Sequence, residues 1–194
     1  MKQLAPDPSL PFSRPIMADH VRDSGLQLVV TADAAERAAL AKVDGLDAIG
    51  MLVGDFTVLR HGRGGLRVHG EVRASVTQIC VVSLEPFDTE VRTCVDMRYA
   101  SPAESEAAQA QALLALEDAT DKAQALAAMD NVPDPIENGR VDLGALAAEF
   151  LTLALDPYPR KPGAAFEADV AEPADDPAPA SPFAALRALK AGED

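Results

Sequence analysis

The chain predicts an α+β fold: an antiparallel β-meander or partly closed barrel with packed helices, followed by a disordered acidic C-terminal linker. Three observations carry this. Strand-like runs over about 48–60, 66–81 and 86–99 follow one another with only short turns between them, which favours antiparallel neighbours. A wide apolar stripe of helical period covers 143–154. Residues 162–182 are rich in Pro, Ala, Asp and Glu, too poor in apolar groups to fold alone.

The elements follow in order. Residues 1–15 hold four prolines and read as an irregular arm ahead of a single domain over 16–160. Leu26–Val30 is a short strand. Thr31 or Asp33 then caps a helix from Ala34 to about Lys42; Glu36, three residues after Asp33, completes a capping box, and Gly45 marks the stop. In the second long run, Leu66, Val68, Val72, Ala74 and Val76 alternate with Arg67, His69, Glu71, Arg73 and Ser75. A period of two places the second set on one solvent face of a half-buried strand. The Gly64-Gly65 pair ahead of it signals a hairpin turn. In the third run Val91, Thr93, Val95 and Met97 alternate with Arg92, Cys94, Asp96 and Arg98.

Residues 103–129 turn to Ala, Gln, Glu and Leu, good helix formers but short of large apolar groups. Their helices are marginal or the segment is partly disordered, and Pro133 and Pro135 end it. Asp142 then stands where an N-cap belongs. Leu143, Leu146, Ala147, Phe150, Leu151 and Ala154 form the stripe, which Asp156-Pro157 closes. Beyond the linker (161–182) a short amphipathic helix over 183–190 is expected, with Ser181 as N-cap, Pro182 at its first position and Phe183, Leu186 and Leu189 on one side. Such a helix buries its apolar face on the same body or on a partner.

Charge narrows the function. The 194 residues carry 17 Lys+Arg and 31 Asp+Glu, a net charge of −14. A net anion is repelled by phosphate, which argues against a protein that binds nucleic acid over its whole surface. The acidity is uneven: residues 1–99 hold 11 basic and 13 acidic side chains, residues 100–194 hold 6 and 18. The one basic concentration is the run from Arg60 to Arg73, with Arg60, Arg63, Arg67 and Arg73. It reads either as an ordinary solvated strand face or as a small patch that contacts RNA phosphates. In the hairpin reading, Arg60 and Arg63 sit in the turn beside the Arg67 end of the strand.

Catalytic residues are not expected. The three His, at 20, 61 and 69, form no His-x-x-x-His pair, and neither a phosphate-cradling Gly-rich loop nor a Gly-x-Ser-x-Gly elbow occurs. His61, His69 and Cys80 fall short of the four ligands of a structural zinc site, so neither metal nor cofactor is expected. Cys80 and Cys94 could pair across neighbouring strands. With no continuous apolar run near the start to serve as an export signal, two reduced thiols in a cytoplasmic protein are the better expectation. Cys80, beside Val81 and Val82, reads as a small buried hydrophobe. No stretch reaches the ~18 apolar residues of a membrane span.

Three segments go further: Ile79-Cys80-Val81-Val82-Ser83-Leu84-Glu85-Pro86-Phe87, Glu137-Asn138-Gly139-Arg140-Val141-Asp142-Leu143-Gly144-Ala145-Leu146, and Leu153-Ala154-Leu155-Asp156-Pro157-Tyr158-Pro159-Arg160. In this order and spacing the chain resembles the bacterial YceD family, linked to accumulation of large-subunit ribosomal RNA. The resemblance runs from about Phe12 through Arg160. It takes in Ser13-Arg14-Pro15, the stretch Ala32–Arg37 and, at the end, Pro182–Lys190. Its motif positions include Cys80, Leu84, Glu85, Pro86, Gly139, Asp142, Leu143 and Pro157. Many members carry Cys-x-x-Cys before the Leu-Glu-Pro; here Ser83 stands at the second position. The motif is therefore expected to be a structural turn, with Pro86 fixing φ and Glu85 accepting backbone hydrogen bonds. The resemblance implies a non-enzymatic factor in synthesis, processing or assembly of the large ribosomal subunit, and the arginine run read from the residues offers it a patch for large-subunit ribosomal RNA or its precursor. The alternative is an acidic adaptor or chaperone for a basic ribosomal protein, working through the second half of the chain and the 183–190 helix.

Overall fold

A computed structural model describes residues 5–62, 64–118, 123 and 132–165. Four long antiparallel strands dominate it. β2 (Leu26–Thr31), β3 (Ala48–His61), β4 (Gly65–Ile79) and β5 (Pro86–Ala100) run in that order across one sheet, and a two-residue β6 (Asp134–Pro135) adds in parallel to the end of β5. The sheet is open, so the meander and not the barrel is the architecture. β1 (Pro15–Met17) pairs with β7 (Arg140–Asp142) as a separate two-stranded ribbon, which the proline-rich start of the chain did not announce.

The alternation read from the sequence sets the faces. Leu52, Phe56, Val58, Leu66, Val68, Val72, Ala74, Val76 and Val95 are buried on one side. Helix α1 (Ala34–Asp44) packs on β3, and helix α3 (Leu143–Ala154) lies against β3, β4 and β5, contributing Leu143, Leu146, Ala147 and Leu151. Asp33 rather than Thr31 caps α1. Its carboxylate accepts from the Ala35 and Glu36 backbone N–H groups, and Glu36 returns a bond to the Asp33 N–H. Gly45 ends the helix at φ +66°, a conformation open to Gly. Helix α2 (Pro102–Asp118) covers part of the Ala-rich segment. The remainder of that segment, nearly all of the 161–182 linker and the whole 183–190 element lie outside the described residues.

The N-terminal arm is not loose where it meets α3. Asp142 caps α3 by accepting from the Gly144 and Ala145 N–H groups, and the same carboxylate accepts the Ser13 hydroxyl and, at 2.7 Å, the Arg14 N–H. Arg14 is bidentate to Glu36 at 2.7 and 2.9 Å and lies over the Phe12 ring. One carboxylate therefore ties the arm, the ribbon and the helix start together. Gly144 permits this close approach, since a Cβ there would sit 2.8 Å from the Arg14 nitrogen and 2.9 Å from the Phe12 carbonyl oxygen.

Candidate functional site

Two regions hold the residues that the sequence singled out. The first is the solvent face of the sheet. Strand register places Arg67 opposite Arg98 and Arg73 opposite Arg92 across β4 and β5. These four guanidinium groups thus occupy one face as two cross-strand pairs. The sequence pattern displayed Arg92 and Arg98 as an alternating set, but only the register brings them beside Arg67 and Arg73. Acids are interleaved with them. Arg67 is bidentate to Asp96 at 2.7 and 2.8 Å, which holds the Asp96 carboxyl below the usual carboxylate range. Arg73 Nε lies 3.7 Å from a Glu71 carboxylate oxygen, too long for a hydrogen bond, and is buried without a hydrogen-bond partner. Arg92 leans on Glu90 at 3.4 Å.

Arg60 is not part of this face. It pairs with Leu66, a core residue, so it points to the opposite side of the sheet. There Nε donates to the Val21 carbonyl at 2.7 Å. The sequence placed Arg60 in the turn because the strand was expected to end there, whereas β3 runs on through His61. Arg63 lies outside the described residues.

The second region is the turn between β4 and β5, where two of the three family-like segments meet. Cys80 leaves the strand at its end, correcting the expected span to 81. The Cys80 N–H donates to the Glu85 carbonyl and the Leu84 N–H to the Cys80 carbonyl, both at 2.9 Å, closing a tight loop with Leu84 at φ +57°. The 156–161 segment docks on it: the Val81 N–H donates to the Pro159 carbonyl at 2.9 Å and the Lys161 N–H to Cys80 Sγ at 3.3 Å. Lys161 Nζ closes on the Glu85 carboxylate at 2.9 Å. Pro86 opens β5 opposite Ile79. The expectation that the Glu85 side chain receives backbone bonds is thus corrected. Its carbonyl does so, while its carboxylate takes the lysine and is held below the ordinary carboxylate range by it.

Cys80 is fully buried, as expected, but it is not an inert hydrophobe. The Ser83 side chain, the Ser83 N–H and the Lys161 N–H all favour the thiolate, lowering its pKa to about 6. Short N–H donors around a sulfur are an electrostatic signal that no one-dimensional pattern carries. Cys94 is exposed on the sheet face, and both thiols are free. Among the described residues no three His, Cys, Asp or Glu side chains cluster in a way that could hold a metal ion. Gly139, at φ +71°, turns the chain into β7, and Asp142 and Leu143 form the hub and core described above. Phe183, Leu186 and Leu189, the expected partner-binding residues, lie outside the described residues.

A concavity of about 540 Å³ opens beside β6, lined by Asp7, Tyr99, Asp134, Glu137, Arg140 and Glu149. Burial raises the Asp134 carboxyl and the Tyr99 hydroxyl above their ordinary values.

No curated protein and no solved structure matches the chain. One family model does, over residues 68–190, from inside β4 through the end of the expected C-terminal helix. The three motif segments fall within this span, while Ser13-Arg14-Pro15 and Ala32–Arg37 precede it. More than half of the chain is matched, and the chain belongs to the YceD family, described as large ribosomal RNA subunit accumulation protein.

Proposed function

We propose that this chain is a cytoplasmic, non-enzymatic factor that supports synthesis, processing or accumulation of large-subunit ribosomal RNA, and that it touches the RNA or its precursor through the arginine face of its sheet. The family match carries the biological role. The contact rests on one observation: Arg67, Arg73, Arg92 and Arg98 stand as two cross-strand pairs on a single face. Guanidinium groups spaced along two strands suit the phosphates of a backbone. The interleaved Asp96, Glu71 and Glu90 lower the net field, so affinity is modest and falls steeply with salt.

The test is a strain lacking the gene, complemented with the wild-type chain or with the Arg67→Glu/Arg73→Glu chain. The ratio of mature large- to small-subunit ribosomal RNA falls in the deletion, returns with the wild type and stays low with the double variant. An unchanged ratio in the deletion overturns the role. Full rescue by the double variant overturns the arginine contact and leaves the role standing.

A second reading has its own observation. The concavity beside β6 is lined by five carboxylates, from Asp7, Asp134, Glu137, Asp142 and Glu149, against one Arg140, a surface that suits a basic ribosomal protein. Glu137→Lys/Glu149→Lys abolishes capture of a basic partner in this reading and leaves RNA binding intact in the first.

A further inference from the structure

The turn between β4 and β5 carries an apolar surface that its own fold leaves open. Leu84 is 76% exposed and stands at φ +57°. A bulky side chain is strained in that region and Gly is not, and no burial of Leu84 offsets the strain. Strain held in place by its surroundings points to use. Here the holding is explicit: the Cys80 N–H binds the Glu85 carbonyl, the Val81 N–H binds the Pro159 carbonyl, and Lys161 binds the Glu85 carboxylate. The same bonds gather further exposed apolar groups. Ile79 pairs with Pro86 at the mouth of the turn, Val81 is exposed, and Tyr158, 72% exposed, adjoins the Pro159 that Val81 binds. Single apolar residues scattered over a surface need no explanation, whereas several gathered at one place mark an interaction site.

The surrounding charge says what fits. Thr77, two residues before Ile79, sits between two acids: its carbonyl accepts the Asp47 N–H, and its hydroxyl donates to Asp88 at 2.6 Å. Asp156 accepts the Tyr158 N–H at 2.8 Å. All three acids are exposed, and among the described residues none of them is in an ion pair. Lys161 is engaged by Glu85, which leaves Arg160 against the three. We propose that this turn docks a basic segment of a ribosomal protein. One aliphatic or aromatic side chain of the segment packs on Leu84, Val81 and Tyr158, and its flanking Lys or Arg meet Asp47, Asp88 and Asp156. The choice of partner rests on the family role. The surface is separate from the concavity beside β6, which lies by Tyr99 at the other end of β5.

Photocross-linking with the full chain tests this. p-Benzoylphenylalanine is placed at Tyr158 and, as a control, at Val29, an exposed apolar position on β2. Each chain is mixed with the dissociated proteins and RNA of purified large ribosomal subunits. Position 158 is expected to cross-link a protein segment with an apolar residue among Lys or Arg, about tenfold more than position 29 does. Leu84→Gly in the position-158 chain lowers the yield about tenfold. Its urea midpoint holds, because relief of strain at φ +57° offsets the added freedom of the unfolded chain. Lost docking on an intact fold separates a contact from a structural role. Asp47→Lys/Asp88→Lys lowers the yield to a similar degree, while Glu137→Lys/Glu149→Lys leaves it unchanged. Equal yields from positions 158 and 29 overturn the proposal. So does cross-linking to ribosomal RNA or to an acidic segment, a yield indifferent to Leu84→Gly and Asp47→Lys/Asp88→Lys, or one lost with Glu137→Lys/Glu149→Lys. The ribosomal RNA ratio in the deletion strain decides the family role separately.

Discussion

The Asp142 hub and the arginine face are built on opposite principles. At the hub, one carboxylate accepts bonds from the Ser13 hydroxyl and from the N–H groups of Arg14, Gly144 and Ala145, in a partly buried place. On the face, charged side chains meet in solvent-accessible pairs, and Arg73 Nε makes no hydrogen bond at all. Removing a shared acceptor orphans several donors together, whereas an exposed ion pair can be replaced by water. Of the family-motif residues, Cys80, Asp142 and Leu143 are buried or half-buried, while Leu84, Glu85, Pro86, Gly139 and Pro157 are exposed. The hub holds the fold, and the sheet face is free to change its partners at little cost to stability.

The largest expected effect is therefore at the hub. Asp142→Ala removes the α3 N-cap and frees the arm, and should destabilise by about 2–4 kcal/mol, measured as the shift of the urea midpoint at constant m-value. Gly144→Ala acts on the same junction through sterics, pushing the Phe12–Arg14 backbone away, and should cost about 1–3 kcal/mol. If Asp142→Ala left the midpoint in place, the distinction between hub and face would collapse.

A smaller effect with a pH signature is expected at the turn. The Cys80 thiol is lowered to about 6 in the fold, first by the Ser83 side chain and then by the Ser83 and Lys161 backbone N–H groups. A depressed pKa means that the fold favours the thiolate. Its stabilisation is complete above the ordinary thiol range and is lost as pH falls through about 6. Wild type should thus gain stability relative to Cys80→Ala as pH rises from 6 to 9. Parallel pH profiles of the two urea midpoints would show that the donors around Sγ do not act on its ionisation.

These contrasts also explain what the sequence could reveal. The faces of β4 and β5, the capping box at Asp33 and the Asp142 cap were legible because each rests on spacing within one segment. The β1–β7 ribbon was not, because it joins residues 15–17 to 140–142, and nothing local to Pro-Ile-Met signals a strand. The second role of Asp142, as acceptor for Ser13 and Arg14, is hidden for the same reason. Arg60 was misassigned through a boundary: ending the strand one residue early turned an inward side chain into a turn residue. Arg92 and Arg98 were visible as an alternating pair, but their place beside Arg73 and Arg67 depends on register, which the length of the 80–85 turn fixes only in three dimensions.

The smallest effect on stability should accompany the largest on RNA, and Arg60 provides the control. Arg60 resembles Arg67 and Arg73 in sequence but faces the other way, bound to the Val21 carbonyl. Arg60→Ala should cost about 1 kcal/mol by orphaning that carbonyl and leave filter-binding curves for large-subunit ribosomal RNA unchanged. Arg67→Glu/Arg73→Glu should do the reverse. The Arg67–Asp96 pair is exposed, so the urea midpoint barely moves, while RNA association at low salt drops and its salt dependence flattens as phosphate contacts disappear. If Arg60→Ala weakened RNA binding as much as the double reversal, the contact would follow net charge and not the face. If neither variant changed it, the arginines would be solvated ornament on a strand, and RNA contact through this sheet would be excluded.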